Sequence, residues 1–210
     1  MKIKYPKTMH LPWSRSYTDD DKILRNTEHF IGKEVVVTEK MDGENTTMYP
    51  DFIHARSLDS KDHLSRHYVK TLHGAIRYLI PKGYRLCGEN MYAKHSIKYE
   101  SLPGYFMLFS VWNEHNICLS WDDTEQVAKG LHLPTVPVLY RGIWDERAIQ
   151  NCYTRISKSG GEQEGYVVRL AESFAYEDFK ISLAKFVRRN HVQTDDHWLS
   201  QPVEPNELMR

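Results

Sequence analysis

An α+β fold, with antiparallel sheets flanked by helices, is what this 210-residue sequence predicts. Three features carry that expectation. Apolar β-branched and aromatic runs, such as Val35–Val37 and Tyr105–Trp112, are sheet material. Segments of helical spacing lie among them without the regular strand–helix–strand alternation of a doubly wound sheet. Turn residues, including Pro50-Asp51 and Asn113–Asn116, fall between strand-like runs at hairpin distance.

In chain order, Val35–Glu39 reads as a buried strand, because three consecutive valines are poor helix material. "TTMY" and "FIHAR" are further strands, separated at Pro50-Asp51. Leu64, Tyr68, Leu72, Ile76 and Leu79 recur at helical spacing, with Asp59 and Ser60 near the start and Pro81 at the end. "YRLCGENMYA" and "YFMLFSVWNEHNICLSW" return to strand, the second folded back at Asn113–Asn116. Two helices are expected over "DDTEQVAKGLH", stopped near Gly130 and Pro134, and over "DERAIQNCYTRIS". "KSGGEQ" reads as a flexible tether, "EGYVVRLAE" and "LAKFVRR" as two last strands, and a polar tail follows.

Composition removes several function classes. The length suits one domain over 1–210 with a real core. Lysine plus arginine equals aspartate plus glutamate, so no global basic field advertises nucleic acid. Cys87, Cys118 and Cys152 are widely spaced and odd in number, which disfavours a disulfide framework or thiolate zinc site and suggests a reducing, cytoplasmic setting. The N-terminus lacks the apolar core of a secretory signal, and no run approaches a membrane span. "KSGGEQEG" lacks the phosphate-loop pattern, and none of the histidines falls in HExxH. His63, His67 and His73 read as decoration of the long helix, and "HVQTDDHW" has metal-ligand residue types without an established ligand spacing.

The stretch "VVVTEKMDGENTTMYP" poses a chemical question. A lysine acts as a covalent nucleophile only when neutral, and at pH 7 about one free lysine in a few thousand is. The strand before Lys40 supplies desolvation, which favours the amine, while Glu39 and Asp42 favour the ammonium. A cation, or Lys185 and Arg56 folded nearby, would have to offset them. Gly43 leaves room for backbone to approach a phosphate.

That stretch opens an ordered series: "EKMDGEN", "ARS", "CGENMYAKHSI", "YFMLFSVWN", "EGYVVR" and "LAKFVRRNHVQTDDHW". The series resembles the covalent nucleotidyltransferase superfamily of polynucleotide ligases and mRNA capping enzymes, and within it the RNA ligase 2-like branch. The resemblance runs from about Val35 to Trp198 and implies a ligase-type nucleotidyltransferase fold, related to ATP-grasp. It implies that Lys40 attacks the α-phosphate of ATP, that AMP passes to a 5′-phosphate on RNA, and that a 3′-hydroxyl seals the strand. Arg56 then falls where phosphate or the acceptor end is held, Glu89 where the ribose is bound, and Phe106 where an aromatic stacks on the base. Glu164 matches the acid associated with Mg²⁺ or Mn²⁺, Lys185 the base that contacts the α-phosphate, and Asn45 an asparagine of the RNA ligase 2-like motif. Glu39 joins this nucleotide-binding set. Phosphoryl transfer needs positioning and neutralised phosphate oxygens, which these residue types supply.

Three departures from the family pattern stand out. Lys185-Phe186-Val187 offers one lysine where two are usual, leaving Arg188 or Lys180 to compensate. Phe109-Ser110 replaces a Phe-Asp pair. The sequence is also expected to be a nucleotidyltransferase domain without an appended OB-fold or helical domain, which implies weak acceptor binding, an accessory partner or unusual ends. The neighbouring readings are a minimal DNA ligase, an enzyme that adenylylates ends without sealing them, and a non-catalytic nucleic-acid-binding relative.

Overall fold

Val35, Val36 and Val37 are all fully buried, which is possible only for a strand covered on both faces. In the computed structural model, which describes residues 2–16, 21–189 and 202–210, they form the middle of such a strand. The chain runs through β1 (Met9–His10), β2 (Glu34–Lys40), β3 (Glu44–Met48), β4 (Ile53–Ala55), α1 (His67–Ile76), β5 (Arg85–Asn90), β6 (Phe106–Trp112) and β7 (Ile117–Cys118). It continues through α2 (Trp121–Gly130), β8 (Val138–Ile143), α3 (Glu146–Gln150), β9 (Gly165–Leu170), β10 (Phe174–Ala175), α4 (Phe179–Ser182) and β11 (Leu183–Val187).

The strands make two sheets, in the orders β1-β11-β9-β2-β8 and β10-β7-β6-β5-β3-β4. Pairing is antiparallel except between β1 and β11. The expected α+β class with antiparallel sheets is what forms. Val35 and Val37 pack into one cluster with Phe30, Tyr166 and Phe186, while Val36 faces a second with Met41, Met91 and Tyr99. Each such burial contributes about 1.5–3 kcal/mol. Helices α1 and α2 cover the far face of the six-stranded sheet through Val69, Ile76 and Ala128, packed on Phe106, Leu108 and Val111.

Lys40 ends β2 in the five-stranded sheet and Glu44 begins β3 in the six-stranded one. The intervening turn therefore joins the two sheets. Asp42 pins it: Oδ2 accepts from the Ser96 and Ile97 amides, each at 2.8 Å, and from Ser96 Oγ at 2.7 Å. Among the described residues no helix is long and apolar enough to cross a membrane.

Four expectations need correction. The buried stripe of α1 is Val69, His73 and Ile76, whereas Leu64 and Leu79 are exposed. Leu64 and Leu79 fall in the single 3₁₀ turns Leu64–Arg66 and Arg77–Leu79 that flank α1, whose tighter winding takes them off its buried stripe. His73 is thus interior, bonded through Nε2 to the Tyr49 carbonyl at 2.6 Å. The helix expected over "DERAIQNCYTRIS" shrinks to α3, because the Gln163 amide claims the Cys152 carbonyl and Arg155 adopts a positive φ of 71°. "KSGGEQ" is a pinned turn: the Lys158 amide donates to Glu39 Oε2 at 3.0 Å, and the Ser159 carbonyl accepts from the Glu100 and Ser101 amides. Finally, β8 was not foreseen; it is an edge strand of mixed exposure with no clear alternation.

Candidate active site

A cavity of about 1000 Å³ opens between the sheets. From the five-stranded sheet it is lined by Thr38, Lys40, Val167 and Lys185. Their common orientation follows from register, Thr38 pairing with Val167 and Val167 with Lys185, while Lys40 pairs with Gly165 one step along. The six-stranded sheet contributes Asn45, Glu89 and Phe109, and the β4 end adds Arg56 at the exposed rim.

Lys40 Nζ donates to Glu164 Oε1, forming an ion pair in which the carboxylate is 1% exposed. Gly165 makes that approach possible. A Cβ there would stand 2.0 Å from the Phe186 carbonyl oxygen, so only glycine lets β9 start against β11 with Glu164 beside Lys40. Glu89 lies across the turn, accepting from the Gly43 amide at 3.3 Å.

The charges interact strongly. Burial by itself would lower the Lys40 pKa, but Glu164, Glu89 and Asp42 outweigh it, and the ammonium is held above its ordinary range. Burial pushes the Glu89 carboxyl up to about 8, with Glu164 and Asp42 adding to the rise and Lys40 opposing it. Lys185 moves the other way, down to about 8, through burial and then the Lys40 charge; Asp21, 3.7 Å away, and Glu164 oppose the fall. Burial also raises Glu39, whose Oε1 is buried without a hydrogen-bond partner among the described residues. Asn45 Oδ1 is similarly orphaned. Both are acceptors awaiting a donor.

A stability test follows from Glu89. Its folded pKa lies above the unfolded value, so the folded state binds more protons and stability falls as pH rises from about 4.5 to 8. Glu89→Gln removes that loss. Its melting temperature should exceed wild type by several degrees at pH 8 and match it near pH 4. Equal melting temperatures at pH 8 would contradict the assigned burial.

Of the residues picked from sequence, Glu39, Lys40, Asn45, Arg56, Glu89, Glu164 and Lys185 line this one cavity, and Phe106 does not. Phe106 is 1% exposed and packs over Gly88, in the cluster under α1 and α2. The phenylalanine of that strand that lines the cavity is Phe109. The β5–β6 register passes from Cys87–Ser110 to Gly88–Leu108, leaving Phe109 as the extra residue of a β-bulge. A bulge turns two successive side chains toward one face, and here Phe109 and Ser110 share the inter-sheet side with Met107. A strand with apolar residues on both faces shows no alternation, so nothing in the sequence marks where such a bulge falls.

Neither candidate for the missing second lysine lines the cavity. Arg188 pairs with Glu162 at 2.6 Å, and Lys180 is exposed on α4. "HVQTDDHW" lies outside the described residues. Sequence reasoning also passed over Tyr5, Thr8 and Arg66, and read His63 as helix decoration; all four line the same cavity from irregular segments or helix starts.

Among the described residues no group of three or more His, Cys, Asp or Glu side chains is assembled to hold a metal. Glu164 and Glu89 still suit a divalent cation, since Mg²⁺ is commonly bound by one or two carboxylates with waters and phosphates. Their surplus negative charge, visible in the raised Lys40 pKa, is what such an ion would offset. The set places one lysine against a buried carboxylate, with a second lysine beside them, in a nucleotide-sized cavity, an arrangement suited to chemistry on a phosphoryl group.

Comparison with solved structures finds the same fold in RNA ligases. Naegleria gruberi RNA ligase in a mutant form with ATP and Mn superposes with a TM-score of 0.56 at 19% identity, covering 89% of this chain and 61% of that one. The same enzyme with pyrophosphate gives 0.55 at 18%, with the same coverage. An archaeal ATP-dependent RNA ligase gives 0.56 at 15%, covering 88% of this chain and 48% of that chain. The chain thus spans about three-fifths of the Naegleria structures and about half of the archaeal one. No curated protein matched the chain. Residues 33–187, most of the sequence, match the family described as RNA ligase, and the chain belongs to that family.

Proposed function

We propose that the protein is an ATP-dependent RNA ligase working through a lysyl–AMP intermediate. The observation that carries this reading is the Lys40–Glu164 pair, set in the inter-sheet cavity with Glu89 and Lys185 around it. Lys40 Nζ attacks the α-phosphorus of ATP; a P–N bond forms, the bond to the bridging oxygen of pyrophosphate breaks, and pyrophosphate leaves. A 5′-phosphate oxygen of RNA then attacks the same phosphorus and releases the lysine. Finally a 3′-hydroxyl attacks the activated 5′-phosphate, and AMP departs as the strand closes.

The lining residues picked out above divide the work of this scheme. Phe109 and Val167 face the base, Phe109 taking the part that sequence alone gave to Phe106. Glu89 accepts from a ribose hydroxyl, and Glu39 and Asn45 offer their orphaned oxygens to nucleotide donors. Lys185 neutralises the α-phosphate oxygens, and Arg56, at the rim, meets phosphate or the RNA end. Glu164 holds the Lys40 ammonium and is placed to take its proton. A bound Mg²⁺ or Mn²⁺ at Glu164 would neutralise phosphate charge and favour the neutral amine.

The test is sealing. With ATP and Mg²⁺ or Mn²⁺, a nicked RNA bearing 5′-phosphate and 3′-hydroxyl ends should give AMP-capped RNA and then joined product. A strong preference for a deoxyribose 3′-hydroxyl would favour a DNA ligase, and capping without joining an end-adenylylating enzyme.

A further inference from the structure

The stretch before the family-matched region is tied to both sheets. Lys2 pairs with Asp51 and sits 4.6 Å over the Tyr49 ring, while the Ile3 amide donates to the Tyr49 hydroxyl at 2.8 Å. These contacts hold residues 2 and 3 to the turn between β3 and β4, in the six-stranded sheet. The Tyr176 hydroxyl donates to the Lys4 carbonyl at 3.2 Å. Farther on, β1 pairs with β11, and the Leu11 amide donates to the Lys185 carbonyl at 2.8 Å, in the five-stranded sheet. The arm between these anchors crosses one end of the cavity and lines it with Tyr5, Pro6 and Thr8.

Tyr5 is the aromatic of this arm. The ring meets Phe109 edge-on, centroids 5.2 Å apart at 72°, and meets Phe179 at 5.4 Å and 88°. The hydroxyl end lies among Cys87, Cys118 and Ser110, all buried in the sheet. Phe109 sits on a β-bulge, where it has no ladder partner on β5 to fix its backbone. A ring wedged edge-on against it supplies the missing constraint, and edge-to-face aromatic pairs contribute beyond mere burial.

We propose that Tyr5 is a positioning residue for the nucleotide base, acting by holding the face of Phe109 at the angle that stacks. This rests on the reading of Phe109 as the base-stacking aromatic. The N-terminal arm is then part of the nucleotide site, although it lies outside the region that the family shares.

The test is the ATP dependence of Lys40 adenylylation in Tyr5→Leu, Tyr5→Phe, Phe109→Ala and the Tyr5→Leu/Phe109→Ala double variant. Tyr5→Leu fills the socket without an aromatic edge, and should raise KM for ATP about three- to tenfold. Its kcat should stay within about twofold. Tyr5→Phe keeps the ring and should restore the wild-type KM. The double variant should match Phe109→Ala alone, because a residue acting through Phe109 has nothing left to act on. Fold-changes that multiply in the double variant, a Tyr5→Leu effect on kcat in place of KM, or no effect of Tyr5→Leu would each overturn the proposal. An unchanged KM in Phe109→Ala would instead sink the base-stacking assignment and this inference with it. Absence of any adduct in the wild type would sink the ligase reading itself.

Discussion

Glu164→Gln should lower the single-turnover rate of Lys40 adenylylation by about 10²- to 10³-fold. Two consequences of the substitution oppose each other. Removing the carboxylate removes a main cause of the raised Lys40 pKa, and each unit of relief gives about tenfold more neutral amine. Against that, the site loses the group hydrogen-bonded to the ammonium and the carboxylate best placed to hold a divalent cation. Phosphoryl transfer depends on charge neutralisation more than on any other protein contribution, so the loss wins. Glutamine keeps the shape and can keep the hydrogen bond, which makes the effect one of charge and not of packing. A rate within tenfold of wild type would contradict the role given to Glu164.

Lys185 should show the second large effect, and a pH signature with it. Lys185→Ala should cost about 10²- to 10³-fold in adenylylation, since a cation facing developing phosphate charge in a partly buried site is hard to replace with water. The pKa near 8 fixes the sign of the pH dependence. Below 8 the side chain is charged and contributes; as pH rises through 8 it loses its proton and the contribution fades. Arginine stays charged throughout. The ratio of Lys185→Arg to wild-type rates should therefore rise between pH 7 and 9, with a midpoint near 8. Lys40 and Lys185 repel, so loss of the Lys185 charge also raises the Lys40 pKa in the wild type alone, which adds to the rise in the ratio. A flat ratio would place the pKa of Lys185 elsewhere or remove it from the reaction.

What the sequence made legible follows physical lines. β2, β6, β9 and β11 are readable because buried β-branched and aromatic runs have few other conformations, and β3 and β4 because the Pro50-Asp51 turn separates them. β8, β1 and β10 are not, being an edge strand and two-residue strands defined by their partners. Lys40, Glu164 and Lys185 could be brought to one site on ordered motifs alone, and register then accounts for why Lys40 and Lys185 share a face. The error over Phe106 has a specific origin. Phe106 and Phe109 lie in one apolar strand, and which of them faces the cavity depends on a bulge set by pairing with β5. Tyr5 was illegible for a related reason: an aromatic in an irregular arm carries no periodicity, and its role appears only when both sheets are assembled around it. Of the acids beside Lys40 in "EKMDGEN", Asp42 does favour the ammonium, but Glu164 and Glu89, brought in from other strands, weigh more, and together the three prevail over burial.

The central claim is that Lys40 carries the nucleotide. Incubating the protein with ATP labelled at the α-phosphate, in Mg²⁺ or Mn²⁺, and measuring acid-labile label retained on protein tests it most directly. The expected result is a covalent adduct in the wild type that disappears in Lys40→Ala. No adduct with either metal, or an adduct that survives Lys40→Ala, would contradict it.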